Sequence, residues 1–449
     1  MKAVTHLLRW VPFLGSVPVE RAVLRISDSR IATTLERRAF APLERLGTSP
    51  VNVLVVADVN AGDSILLAPA PGALARSLPA AEVDYMFHHK TADLLASDPA
   101  LRRTFPVLRG SAEAASANQE AVRRAVREHG HDLVVNFCPF VTPAQLGDLG
   151  CPVITPLPMV IAMLKAYRDG KIASLPYQAV EFATEIVRRL PGGTDAEARY
   201  TGTSISVPVE SIQRARSFLA DIGNPPPTSL VLYNPDTSNY STFLGNDLQA
   251  AIVDRLLRSP DVDRVILSRG FEYRGVEDRI VERLAPEVRA RVVLCPPALS
   301  FADLAALVDR CGVYAGGDTG PLHVAAARKT STNGLTPLHN RTAVVGIFKA
   351  TDPRIYGYSS TDQRMIDSSQ DAPAAVVEAA PPCKNLTCSL QRITASCPAP
   401  ACQDALDADA ITDVILQIMS RAVGWPGKEL VGSRGRTDAG GVTPTGGAL

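Results

Sequence analysis

The sequence predicts an α/β protein built from two doubly wound units. Three observations carry this. Short apolar, β-branched runs alternate with amphipathic helical stretches, the pattern of parallel strands covered on both faces. The alternation occurs twice, over 51–137 and again over 230–347, with a turn-rich polar stretch from Pro191 to Thr203 between. The chain has 449 residues, too many for one ordinary domain and enough for two or three.

Residues 1–50 form an extension before the first clear strand. It is positive, and Leu7, Leu8, Val11 and Leu14 recur at helical spacing, with Ile31, Leu35 and Leu43 following more loosely. Such a segment suits a helix lying on an anionic membrane surface or one docked on the protein's own core. Its start is too interrupted, by Arg9, Pro12 and Pro18, for a cleaved leader. Val51–Val56 is the first strand, followed by a short loop and a helix over Ser64–Leu78. Strands at 82–87 and 133–137 and helices at 92–95 and 116–129 complete the first unit. The helix Glu210–Ile222 leads into the second unit, which ends before a helix at Asp407–Val423. Its strands lie at 230–233, 264–267, 292–294, 312–315 and 343–347, with helices at 247–257, 276–284 and 301–310 between them. The Gly- and Thr-rich end, 426–449, has no periodicity and reads as a disordered tail.

Hydrophobic residues make up 46% and charged residues 20%, a globular balance with a formal net charge of +0. No overall field draws this chain to nucleic acid. No run approaches the ~20 apolar residues of a membrane span, so a cytoplasmic protein is expected.

The most informative segment is Gly316-Gly317-Asp318-Thr319-Gly320-Pro321-Leu322-His323, between a strand and a helix. Glycine lets backbone approach a ligand, and a helix start presents unpaired N–H groups with partial positive charge, which suit a phosphate. Thr319 adds a hydroxyl and His323 a ring in the first turn. Spacing alone equally fits a helix cap at Asp318 or Thr319. In the first unit, Asp63 follows the carboxyl end of the first strand, where α/β sheets place their sites. It suits either a general base or an N-cap.

Several motifs together resemble glycosyltransferase family 9, the ADP-heptose:lipopolysaccharide heptosyltransferases and their relatives. They are Ala315–Ala327, the approach segment Leu299–Val308, Gly346–Pro353 and the Gly62-Asp63 stretch at 61–70. The order and spacing of the four are family-like over about 51–420. The resemblance implies a GT-B fold, two facing Rossmann-like domains with a central cleft. It implies an inverting transferase that needs no cofactor for catalysis. Residues 51–205 would be the acceptor domain and 206–403 the nucleotide-sugar domain, with the helix at 404–425 returning to the first. Asp63 would be the general base. Asp318, Thr319, Gly320 and His323 would meet the nucleotide sugar, Asp318 by orienting the loop. ADP-heptose is the implied donor; a lipopolysaccharide core, glycan, lipid-linked group or protein is the implied acceptor. A relative that only binds the nucleotide, or that hydrolyses or epimerises it, is the alternative.

One departure stands out. The family's phosphate-side lysine is missing from Asn234-Pro235-Asp236-Thr237-Ser238, which offers the hydroxyls of Thr237 and Ser238 instead. Lys349, after the strand ending at Ile347, is placed to supply the missing cation, or else is a solvated surface lysine. Glu272, after another strand, is placed to reach a ribose. Of the 8 cysteines, Cys383, Cys388, Cys397 and Cys402 cluster as C-x4-C-x8-C-x4-C. Structural zinc, structural iron and free thiols all remain open there, since the gaps exceed the usual two-residue knuckle.

Overall fold

The computed structural model describes residues 30–423 apart from short loop positions and longer gaps, among them 194–202, 238–241, 270–274, 331–341 and 379–404. Two parallel sheets organise the chain. The first has the order β3-β2-β1-β4-β5, from β1 (Asn52–Val56), β2 (Glu82–His88), β3 (Arg103–Leu108), β4 (Leu133–Asn136) and β5 (Val153–Ile154). The second comprises β6 (Leu230–Asn234), β7 (Arg264–Leu267), β8 (Val292–Leu294), β9 (Val313–Gly317) and β10 (Ala343–Phe348), plus an outer strand, β13 (Ala374–Glu378). Its order is β13-β10-β9-β6-β7-β8. A two-stranded piece, β11 (Tyr358–Ser359) with β12 (Ile366–Asp367), lies beyond β10.

The strand sequences are apolar throughout because both faces are covered. Val53 and Val55 enter one core while Leu54 and Val56 enter another. In β6, Val231 and Tyr233 face one side and Leu230 and Leu232 the other. One apolar cluster takes residues from both sheets, joining Val53, Leu74 and Ile186 to Phe301, Leu322 and Val344. In each sheet the strand order reverses at one place, β1/β4 in the first and β6/β9 in the second. The carboxyl ends beside those reversals are the natural ligand crevices.

Among the described residues, β3, β5 and β13 lie where the sequence pattern does not announce them, as do the short β11 and β12. β3 contains Pro106, which an edge strand tolerates because no ladder hydrogen bond is needed on its outer side. β5 has two residues, too few for a periodicity, and β13 is an alanine-led run. The helices Leu157–Arg168 and Leu175–Arg189 are likewise additions. The expected helix 64–78 is two helices, Ala61–Leu67 and Pro69–Ser77. Pro69 has no N–H to continue the first and is suited to begin the second.

The described part of the N-terminal extension is docked on the protein's own core. Helix Arg30–Phe40 buries Ala32 and Phe40, with Leu43 beyond it. Phe40 packs on Phe182, the Arg189 guanidinium sits 4.2 Å over the Phe40 ring, and Lys165 pairs with Glu36 at 2.9 Å. Residues 1–29, the linker positions 194–202 and the tail 424–449 lie outside the described residues. No helix among the described residues is long and apolar enough to cross a membrane.

The helix Ala408–Val423 corrects an expectation. It was expected to return to the first unit, yet it packs on the helix Asn246–Arg258 and on β9, β10 and β13. Ile411, Ile415, Ile418 and Met419 complete the second unit's own core, and that apolar stripe fixes where the helix lies.

The amino-terminal edge of the first sheet is tied by charge. Asp84 in β2 is buried and accepts from Arg102 Nε at 2.9 Å and from Arg102 Nη2 at 2.6 Å. His131 Nε2 lies 2.9 Å from the same carboxylate, and Arg102 also reaches Glu82 and Asn52. Burial opposes the charge on Asp84, but the hydrogen bonds from His131 and Arg102 outweigh it and hold the carboxyl down to about 2. A depressed pKa adds stability above the unfolded value and loses it as pH falls through the folded one. Stability should therefore decline between about pH 4 and pH 2, and Asp84→Asn should flatten that decline in denaturant titrations.

Candidate active site

β9 is wholly buried and ends on Gly316-Gly317. A Cβ on Gly316 would lie 3.1 Å from both the Cβ and the carbonyl oxygen of Asn234. Glycine is therefore required where β9 and β6 run side by side. A Cβ on Gly317 would stand 3.5 Å from the Thr242 carbonyl oxygen and 3.8 Å from that of Ile347. The turn after β9 thus touches the chain following β6 and the end of β10. Asp318 and Thr319 follow, and the helix Gly320–Thr330 begins.

Asn234 is the hub of this crevice, a role its place in the sequence did not reveal. It is buried at the end of β6. Its Nδ2 donates to the Asp236 carbonyl at 2.9 Å and to Thr319 Oγ1 at 3.2 Å, while Ser268 Oγ donates to its Oδ1 at 2.6 Å. One amide joins the ends of β6, β7 and β9. Thr319 in turn donates to the Gly317 carbonyl at 3.3 Å, so its hydroxyl is engaged within the turn. Thr237 Oγ1 lies 2.8 Å from Thr242 Oγ1, and the Thr237 N–H donates to the Asp236 carboxylate at 2.8 Å.

Lys349 is not a surface lysine. It is 8% exposed, and its ammonium donates to the Phe243 carbonyl at 2.8 Å. That places a cation at the same junction of β9, β10 and the loop after β6.

His323 is buried between two partners. Nδ1 is hydrogen-bonded to the Tyr358 hydroxyl at 2.9 Å, and Nε2 lies 3.4 Å from Asp318 Oδ1. A carboxylate only accepts, so Nε2 carries a proton, and Nδ1 shares a hydrogen bond with the Tyr358 hydroxyl. His323, expected to meet the nucleotide sugar, has Asp318 and Tyr358 as its partners in the structure. Tyr358 gave no signal in the sequence, since it lies well beyond the glycine-rich motif.

Asp63 occupies the third position of the helix Ala61–Leu67, and the capping position belongs to Asn60. Asn60 Nδ2 donates to Asp63 Oδ2 at 2.9 Å. The adjoining Ser64 is buried; its hydroxyl donates to the Asn60 carbonyl and accepts the His88 N–H, and its carbonyl accepts from Tyr85. The carboxylate is thus fixed by a rigid helix start at the carboxyl end of β1.

The two halves touch. A Cβ on Gly62 would lie 2.9 Å from His323 Cδ2 and 3.2 Å from Gly320 Cα. Phe301 supports the turn from below, since a Cβ on Gly320 would lie 3.0 Å from its Cζ. Its helix, Phe301–Val308, opens with a full capping box between Ser300 and Asp303, and Asp303 also pairs with Arg214.

Ser238, Glu272 and the cysteines Cys383, Cys388, Cys397 and Cys402 lie outside the described residues. No group of three or more metal-ligating side chains is formed among the described residues. Cys138, Cys295 and Cys311 are buried, and burial pushes the Cys295 thiol up to about 12, as expected of inert thiols.

Comparison with known proteins agrees with the motifs. The family model "Glycosyltransferase family 9 (heptosyltransferase)" matches residues 261–383, which include the whole glycine-rich turn. Over that stretch the chain is similar to glycosyltransferase family 9. It is 24% identical over 310 residues to lipopolysaccharide heptosyltransferase 3 of Escherichia coli K12, covering 65% of this chain and 80% of that protein. Its fold resembles that of a family 9 glycosyltransferase from Veillonella parvula, with a TM-score of 0.60 at 15% identity, over 82% of this chain and 97% of that one. It also resembles E. coli ADP-heptose lipopolysaccharide heptosyltransferase II, with a TM-score of 0.51 at 14% identity, over 82% of this chain and 99% of that one. The GT-B architecture expected from the motifs is therefore present.

Replacing Asn234 by alanine strands the buried Ser268 hydroxyl and removes a donor to Thr319. The expected loss is roughly 1–3 kcal/mol of unfolding free energy at unchanged denaturant slope. A loss below about 0.5 kcal/mol, the scatter of ordinary surface changes, would remove Asn234 from this role.

Proposed function

We propose that this chain is a family 9 glycosyltransferase that transfers a heptose from ADP-heptose to a hydroxyl of a lipopolysaccharide core, with inversion at the anomeric carbon. The observation that carries the reading is the direct abutment of the Asp63 helix on the Gly320 turn. An acid–base group and an anion-binding helix start then face one small volume. The donor follows from the E. coli relative, whose name states ADP-heptose and lipopolysaccharide.

In this reading residues 51–205 present the acceptor and 206–403 hold the nucleotide sugar. The acceptor hydroxyl gives its proton to the Asp63 carboxylate as its oxygen bonds to the anomeric carbon. The bond from that carbon to the diphosphate oxygen breaks on the opposite face, and ADP leaves with the electron pair. Attack and departure on opposite faces invert the centre. Charge growing on the diphosphate is met by the backbone N–H groups at the start of helix Gly320–Thr330 and by the hydroxyl of Thr237. Lys349, beside the same turn, supplies the cation that the loop after β6 lacks. Asp318, 3.4 Å from His323, orients the turn and leaves phosphate binding to the donors around it. No metal is needed for these steps.

Asp63→Asn should reduce turnover of ADP-heptose by roughly 10²–10⁴-fold while ADP still binds. Calorimetry and a coupled ADP-release assay read the two quantities. Turnover within about threefold of the parent enzyme would remove Asp63 as the base. Release of free heptose with no acceptor present would favour a hydrolase, and ADP binding without turnover on any acceptor would favour a non-catalytic relative. Lys349→Ala should weaken ADP binding by about 10–100-fold, the worth of a charge-assisted hydrogen bond. Unchanged ADP affinity would return Lys349 to a purely structural role.

A further inference from the structure

One imidazole is held by the second unit and touched by the first. His323 is 4% exposed, with Tyr358 at Nδ1 and Asp318 beside Nε2. Its Cδ2 edge faces Gly62, where no side chain fits between ring and backbone. Behind that contact the helix Ala61–Leu67 packs along the helix Gly320–Thr330. Tyr358 itself is buried on β11, a strand packed beside β10 and β13 and so part of the second unit's frame.

A histidine ring bonded at only one nitrogen can turn about χ2, and turning would present a different edge to Gly62. Bonded at Nδ1 and drawn to a carboxylate at Nε2, the ring has one favoured orientation. The edge on which the first unit rests is therefore set by a hydroxyl on the far side of the ring. We propose that Tyr358 is a positioning residue: through His323 and Gly62 it holds the helix carrying Asp63 at a fixed place on the Gly320 turn. The consequence for catalysis rests on Asp63 being the base; the mechanical coupling does not.

Native-state amide hydrogen exchange of the full chain tests this without a ligand. Tyr358→Phe removes one oxygen in the second unit. It should speed exchange at Ser64–Leu67, in the first unit, by about five- to tenfold, the worth of one buried hydrogen bond. Amides of β1, β4 and β6 should keep their parental rates. Gly62→Ala, which forces the ring and helix apart, should give the same local signature, and the double variant should loosen the helix no more than either single change. ADP affinity of Tyr358→Phe should stay within about twofold, because the backbone donors of the turn are untouched, while kcat falls more than KM changes.

Exchange at Ser64–Leu67 that stays at the parental rate in Tyr358→Phe, or additive effects in the double variant, would overturn the proposal. Should Tyr358→Phe fail to fold, His323→Gln and Gly62→Ala are read by the same criterion: helices 61–67 and 320–327 loosen together, or the proposal fails. Asp63→Asn separates the two claims. It should leave this exchange pattern in place whatever it does to turnover.

Discussion

The protein depends on one close approach of backbone to backbone. Gly62 and Gly320 come from different sheets, and neither tolerates a Cβ without moving its neighbours. Each sheet places its reactive loop correctly for general reasons: parallel strands, a reversal in strand order, and a helix start beyond the carboxyl edge. Those rules say nothing about how the two edges meet. The missing side chain at Gly62 does, because a Cβ there would press on His323 and Gly320 and hold the Asp63 helix off the turn.

Hydrogen bonds fasten the crevice around that contact. Asn234 ties three strand ends with a single amide, Ser300 and Asp303 close the start of the supporting helix, and the Thr237–Thr242 pair fixes the loop after β6. At the opposite edge of the first sheet, Asp84, Arg102 and His131 form a buried ionic knot whose work is to fasten strands. The ion-paired strand ends and the candidate site therefore sit at opposite ends of the strands of the first sheet.

Much of this was legible in the sequence because it is periodic or local. The apolar runs of β1, β6, β9 and β10 announce covered parallel strands, and the Gly316–His323 segment announces a tight turn between a strand and a helix. Asp63 could be placed after β1 because strand, loop and helix are contiguous there. What escaped has a common cause. Tyr358, Asn60 and Ser268 act through contacts whose partners lie elsewhere in the fold or in an unremarkable loop, with no spacing to betray them. Pro106 concealed an edge strand, and Pro69 divided a helix that periodicity alone would have continued. The last helix was misplaced by analogy: its apolar stripe says that it is buried, and only packing says against which unit.

The buried ammonium of Lys349 has a thermodynamic corollary. A flexible lysine recruited from the surface gives up rotamer freedom when it meets a phosphate, at a cost of roughly 0.5–1.5 kcal/mol. Lys349 is already ordered by the Phe243 carbonyl, so much of that loss is incurred during folding. Withdrawn from solvent, its charge is also less screened by mobile ions than an exposed one. Bound to a nucleotide through Lys349, as proposed, the protein would hold it with little dependence on the ionic strength around it.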